Sequence, residues 1–443
     1  MNAKRALHSV TLYNPEKTYN GFTLFTPLMP DPSNTWLIDM QGRLVHRWQL
    51  PGWIRMHAEL LPNGNLLFAI YDPESQLPEL VWSGGEVIEM DWDGNILWKY
   101  QDPYLDSHDR CRLKNGNTII FKFVEVPKDI AAKVKGGVPG TERNGVIWGS
   151  ALQEITPEGK VTWEWLTYEH LDPEKTPLIP EGRRFTWPGL NSVVELLDGN
   201  IMICSFGTSN VYIIDKASGD IKWMWGYATA EKERDLISYP HNPTMLDNGN
   251  ILLLDNGRYG YWRQGYSRVI EVNPNTNEIE WEYEEDNPTD FFTRIQGSAQ
   301  RLPNGNTLVC ESMWGRFFEI TPRGETVWEY ISPFYGCKSG TIYGRISNHI
   351  YRCMRYGPDY PGLQGKKLDA EKLDLWNRLY GPDAFRVGAE PTGRGMIERA
   401  PTEEERAPIE KEAPPAKYDT SKPSVAQPGK EKGVSSRLRL LGY

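Results

Sequence analysis

Five times along the chain a short apolar strand runs into a tight turn, carrying Asn-Gly-Asn or Asp-Gly-Asn, and returns as a second apolar strand. The copies are HAELLPNGNLLFAI from His57, RLKNGNTIIFKF from Arg112, VELLDGNIMICSF from Val194, TMLDNGNILLLDN from Thr244 and RLPNGNTLVCES from Arg301. Between them lies a second unit, an acid-rich strand, a Gly or Asn turn, and a strand with aromatic residues two apart. Its aromatic pairs are Trp98 and Tyr100, Trp163 and Trp165, Trp223 and Trp225, Trp281 and Tyr283, and Trp328 and Tyr330, with His46 and Trp48 as a sixth pair near the start. The turns of this second unit, at 42, 94, 159, 219, 277 and 324, recur every 47 to 65 residues. Two hairpins per period make four short strands, the pattern of a propeller blade.

The expected fold is all-β, one six-bladed β-propeller over residues 8–365. Five inner hairpins against six outer ones leave one blade short, and the C-terminal strand in RISNHIYRCMRY is expected to complete it beside the N-terminal strands from Phe22 to Trp48. A ring closed by both ends of the chain has no exposed edge. The Trp pairs are expected to pack between blades, each buried ring contributing roughly 1.5–3 kcal/mol, with His46 as a structural substitute in their column. A chain of 443 residues exceeds a single ordinary core, and 12% aromatic residues with 17 Trp agree with a closed repeat.

Insertions break the period at 126–150, 167–190 and 227–240, the last reading as helical. All are expected on one face, where loops on a rigid ring build binding sites. Residues 366–387 read as a helical and loop extension. Residues 388–443, rich in Glu, Pro, Lys and Arg, cannot form a core and are expected to wrap over a neighbouring subunit as an oligomer contact, anchored by SSRLRLLGY. Net charge is −10, which argues against nucleic acid or an anionic membrane as partner. With no apolar run long enough for an export signal or a membrane span, the expected compartment is cytoplasmic. Five cysteines without close pairing read as reduced thiols.

The candidate site follows from strand alternation. Residues seven or eight positions before each turn Gly should reach one mouth of the central channel. That level holds His57, His108, Asn191, Asn242, His241 and Ser298, with His349 from the closing blade, while His8 and His170 fall outside it and read as surface residues. Around them the loops offer Trp148, Asn256, Arg258, Tyr259, Trp262 and Trp314, besides Tyr71, Arg183, Arg184, Phe185, Trp187 and Arg316. Guanidinium groups suit oxyanions and aromatic walls suit a flat ring, so the expected ligand is a small aromatic anion. In HNPTMLDNGNILLLDNGR, His241 and Arg258 share the end of the hairpin opposite its turn.

This motif, the repeated LPNGN hairpins, and the opening GFTLFTPLMPDPSNTWLIDMQGRLVHRW resemble the bacterial arylsulfotransferase family, whose six-bladed propeller moves a sulfuryl group between phenols through a histidine. The resemblance covers most of residues 20–365. It implies a PAPS-independent transferase in which His241 and Arg258 bind the sulfate and His57 or His108 matches a further channel histidine. The stretch corresponding to the family's nucleophilic histidine reads Ile295, Gln296, Gly297, Ser298. In the mechanism expected from these residues, neutral His241 attacks sulfur, Arg258 holds the oxygens and a second histidine protonates the leaving phenolate. No cofactor is expected. A second reading places one divalent or iron ion on His57, His108, His241 and His349, giving a lyase, hydratase or hydrolase. A third is a non-enzymatic scaffold.

Overall fold

The computed structural model describes residues 8–28, 33–72, 77, 80, 82–257, 265–335 and 347–385. The expected tail, 388–443, lies outside them. Six four-stranded antiparallel sheets form six propeller blades. From the inside outward, blade one comprises Ile350–Tyr356, Phe22–Pro27, Asn34–Ile38 and Leu44–Gln49, so the last strand of the propeller completes a blade begun by the first. Blades two to six have as inner strands Ile54–Leu60, Leu105–Arg112, Leu190–Glu195, His241–Met245 and Ser298–Arg301. Each inner strand packs against the inner strand of the next blade, and the sixth returns to the first. Ser9–Tyr13 adds a fifth strand to the outer edge of blade six, alongside Thr326–Ile331. Both ends of the chain therefore help lock the ring.

The repeated residues explain why the hairpins form and why the blades stay together. In four hairpins the first Asn of the turn accepts the backbone N–H two residues on, at 2.9 to 3.1 Å. The Gly between them sits at positive φ, +85° for Gly64, where a side chain would be strained. The turn Asn side chains then donate to a glutamate on their blade's third strand: Asn65 to Glu89 at 2.6 Å, Asn117 to Glu154 at 2.5 Å, Asn250 to Glu271 at 2.8 Å and Asn306 to Glu319 at 2.7 Å. Each of these glutamates also takes a cation from the following blade, respectively Arg112, Lys216, Arg301 and Arg355, at 2.5 to 2.7 Å. The tryptophan column covers those cations. Trp98, Trp163, Trp281 and Trp328 lie 4.3 to 6.0 Å from them, ring centroid to charge. Their indole N–H groups bond carbonyls of the next blade, at Pro157, Lys216, Pro322 and Met40.

Two junctions replace charge by apolar contact on both sides at once. Ile213 takes the glutamate position and Met245 the cation position between blades four and five, and both pack into one apolar cluster. Leu37 and Leu60 do the same between blades one and two. Keeping one charge of such a buried pair without the other is what costs stability. His46 does occupy the tryptophan column structurally, with its ring stacked on Trp92 at 3.9 Å.

The insertions at 126–150 and 167–190 meet each other. Gly136–Val138 pairs in parallel with Leu178–Arg183, and Trp148 exchanges backbone hydrogen bonds with Phe185 and Trp187. The expected helix in 227–240 is absent: only Glu233–Asp235 forms a 3₁₀ turn. Arg268 claims the Arg234 and Leu236 carbonyls, at 2.7 and 3.2 Å, which removes acceptors a helix would need. After the closing strand the chain runs along blade one, where Asn377 of the helix Asp374–Tyr380 bonds both backbone groups of Leu44. Four free cysteines are described, Cys111, Cys204, Cys310 and Cys353. His170 lies at the surface with its ring stacked on Trp165, whereas His8, expected there too, is only partly exposed and packs edge-on against Tyr335.

Arg355→Ala is expected to cost about 3–5 kcal/mol in urea unfolding at neutral pH, because Glu319 would stay buried without its cation. Arg301→Ala, at a junction about one-fifth exposed (19%), should cost less.

Candidate active site at the channel mouth

Inner strands are irregular at one level of the ring. In blade one, Tyr351 and Arg352 stand where the partner strand supplies only Thr26. Register shifts of the same kind fall between Ile54 and Ala58, between Asp106 and Arg110, at Asn191 and between His241 and Thr244. Blade six pairs without a break from Ser298 to Arg301. A β-bulge re-aims side chains that strict alternation would send elsewhere, and here the bulged segments of five blades gather at the axis.

Tyr351 crosses the channel. It leaves blade one, and its hydroxyl donates to the carbonyl of Asn191 in blade four at 3.3 Å, with no exposed surface. The His57 ring stacks on one side of it, 5.5 Å between centroids and 9° between planes, and the His241 ring meets it edge-on at 6.0 Å. Burial pushes the phenol far above its usual range, so it remains a neutral crossbar. The neighbouring Arg352 places Nη1 3.1 Å from His57 Nε2 and Nη2 3.4 Å from Asp109 Oδ2. Asp109 is held in turn by the N–H groups of Arg110 and Val193. Since a guanidinium only donates, His57 Nε2 accepts and the proton sits on Nδ1. Burial first, then the charges of Arg352 and Arg110, hold this imidazole neutral.

His241 is satisfied at both ring nitrogens. Nδ1–H donates to Asn256 Oδ1 at 2.7 Å and to the Tyr239 carbonyl at 2.8 Å, while Nε2 accepts the N–H of Gln296 at 3.2 Å. Asn256 is itself fixed on the carbonyls of Thr293 and Gln296. Gln296 takes a left-handed conformation, φ +61°, to present that N–H. Burial lowers the His241 pKa to about 4, against the raising effect of its Asn256 and Tyr239 bonds.

His108 differs from both. Its Nδ1 is 2.5 Å from Asp106 Oδ1, its side chain is 20% exposed, and Nε2 has no partner among the described residues. Within the bulge Asp106 Oδ1 accepts the His108 backbone N–H at 3.1 Å and lies against its ring Nδ1, so the carboxylate orients the imidazole. An aromatic cluster borders this dyad through Trp82. Trp82 lies edge-on to His108 at 5.2 Å and 6.0 Å from Phe185, and Trp148 stacks against Tyr104 at 6.5 Å. All four belong to one cluster with Leu77, Leu80 and Phe123. The Trp148 indole N–H is buried without an acceptor.

Of the other residues singled out in the sequence, Asn191 donates to the Pro240 carbonyl and Ser298 to that of Cys353. Asn242 is buried at φ +51° in the blade-five bulge. His349 is buried, its pKa lowered to about 3 by burial and the charge of Arg294. Trp314 is exposed, its N–H on the Phe292 carbonyl. Arg316 and Arg184, grouped by sequence with the rim, are committed to Glu329 with Glu311 and to Glu142, and Trp187 is a core residue bonded to Thr176. Arg258, Tyr259 and Trp262 lie outside the described residues. Sequence reasoning missed Asp106, Tyr351 and Arg352; the Asp-x-His spacing was the one readable signal among them. Among the described residues no group of three His, Cys, Asp or Glu able to hold a metal occurs. Nor is any described helix long and apolar enough to cross a membrane.

A family model described as Arylsulfotransferase (ASST) matches residues 57–333, which spans every histidine of the channel mouth except His349. No curated protein sequence matches the chain. Among solved structures, a protein of unknown function from Bacteroides caccae is 14% identical, covering 76% of this chain and 98% of its own, with TM-score 0.48. Virginiamycin B lyase from Staphylococcus aureus is 12% identical, covering 73% of each chain, with TM-score 0.32. Likeness at that level says nothing of chemistry.

The depressed pKa of His241 makes the fold acid-sensitive. Below about pH 6.5 the unfolded chain binds a proton that the folded chain refuses, so this stability is complete above that value and lost on descent toward about 4. The expected loss is about 2 kcal/mol near pH 5 and about 3 kcal/mol near pH 4, read from urea unfolding at those values and at neutral pH, with a smaller drop in His241→Gln.

Proposed function

This chain belongs to the arylsulfotransferase (ASST) family, and on that premise we propose that it moves a sulfuryl group from an aryl sulfate to a second small aromatic acceptor through His108. The observation that carries this reading is the Asp106–His108 dyad beside Trp82, which belongs to a cluster of five aromatic side chains. A nucleophilic imidazole needs a free lone pair and a partner for its other nitrogen. His108 meets both needs. His241 spends its Nε2 on the Gln296 N–H, and His57 spends its Nε2 on Arg352. His241 therefore takes a positioning role, anchoring the loop that carries Gln296, and the reaction does not pass through it.

In the first half-reaction the Nε2 lone pair of neutral His108 attacks sulfur, the S–O bond to the aryl group breaks, and the aryl oxide departs with that electron pair. Asp106 accepts the Nδ1–H bond and stabilises the positive charge that develops on the ring. The Trp148 N–H, a buried donor with no acceptor, is assigned the departing oxygen. Arg258, two residues after Asn256 in the chain, is assigned the sulfuryl oxygens on the strength of its motif. In the second half the acceptor hydroxyl oxygen attacks sulfur, the N–S bond breaks with its electron pair returning to Nε2, and His108 takes up the acceptor's proton and then releases it to the aryl oxide or to solvent, which restores the neutral ring. No nucleotide sulfate donor enters this scheme. The aromatic side chains favour a flat ring over an aliphatic sulfate.

Turnover of 4-nitrophenyl sulfate with a phenol acceptor is expected to fall about 10²- to 10⁴-fold in His108→Gln and by a comparable factor in Asp106→Asn. Intact mass spectrometry after donor alone should show one added sulfuryl group on the unmodified protein and none on His108→Gln. Retained turnover in His108→Gln removes the assignment.

A further inference from the structure

Arg110, on the inner strand of blade three, is 2% exposed. Its Nη2 donates to the carbonyls of His57 at 2.7 Å and Leu67 at 2.8 Å, but Nε and Nη1 have no acceptor. Arg352 Nε and His57 Nδ1 are likewise buried without a partner. Arg110 holds the His57 backbone and Arg352 the His57 ring, so the four unmet N–H donors are carried by three residues in contact through His57. Leaving buried donors unpaired is costly, and more so when they are charged.

The charge pairing is also uneven: of the two guanidinium groups only Arg352 bonds a carboxylate, Asp109, while Arg110 meets Asp109 through its backbone N–H. The other carboxyl close by is Glu59 on the inner strand of blade two; burial raises its pKa, and it accepts no hydrogen bond from either guanidinium, whose bonds go to the His57 and Leu67 carbonyls, the His57 ring and Asp109. A water molecule would satisfy the hydrogen bonds and leave the charge. An acceptor carrying a negative charge satisfies both.

We propose that this group binds one small inorganic anion of the halide class inside the channel, between Arg110, Arg352 and the Nδ1–H of His57. The site is separate from the Asp106–His108 dyad and does not depend on sulfuryl transfer. Inner strands run from the loop face of the ring toward the Asn-Gly-Asn turns, so Arg110 lies farther along the channel than His108. The bound anion neutralises Arg352, whose charge bears on both His57 and His241, and so sets the field beneath the mouth.

Thermal unfolding of the full chain in sodium chloride, compared with sodium gluconate at equal ionic strength, tests this. The expected result is a Tm that rises and saturates with chloride, with the rise abolished in Arg110→Met. Equal Tm in the two salts, or an unchanged rise in Arg110→Met, overturns the proposal. Crystals of the unmodified protein grown in sodium bromide decide the matter without the variant. An anomalous peak within hydrogen-bond reach of the Arg110 and Arg352 guanidinium groups is expected, and its absence there overturns the site.

Discussion

The ring exists because Ile350–Tyr356 pairs with Phe22–Pro27. That ladder joins the two ends of the propeller, and much of what sits at the axis comes with it. Arg355 from this strand neutralises Glu319 of blade six, while Tyr356 lends its hydroxyl to the backbone of blade two. The extra residue in the same strand turns Tyr351 and Arg352 into the channel. Stability and site geometry thus share one element. A closing strand buys closure at the entropic expense of a very long loop, which its buried hydrogen bonds and ion pair have to offset.

Between blades, the molecule uses one device with substitutions. A turn asparagine, a glutamate, a cation and a tryptophan form the junction where charge is kept. Where it is dropped, as at Ile213 with Met245 and at Leu37 with Leu60, both partners change together. Burial explains the concerted change, since a carboxylate enclosed without its cation is far worse than either a complete pair or none. Removing the cation at such a junction and leaving the carboxylate, as in the Arg355 variant described above, breaks that rule deliberately.

Polar groups at the axis divide by what their neighbours allow. His57 and His241 are enclosed, bonded and neutral, and serve as rigid fittings around Tyr351. His108 has a carboxylate on one ring nitrogen and stays partly exposed to solvent. Histidine content alone does not distinguish these cases. The second ring nitrogen, and what it touches, does.

The periodic features were legible in the chain. Asn-Gly-Asn turns dictate hairpins, aromatic pairs at two-residue spacing dictate one buried face, and six copies of the outer unit dictate six blades closed by both termini. The level of the channel mouth could also be read, because it lies a near-constant distance before each turn glycine, and His57, His108, Asn191 and His241 do reach the axis region. Their division of labour could not. It rests on bulges, which shift the register by one to three residues and leave no fixed mark in composition, and on contacts such as Tyr351 with Asn191, which join positions 160 residues apart. Local sequence carries period and turn chemistry because these are properties of neighbouring residues. Which imidazole keeps a free lone pair is settled by side chains that meet only after the ring has closed.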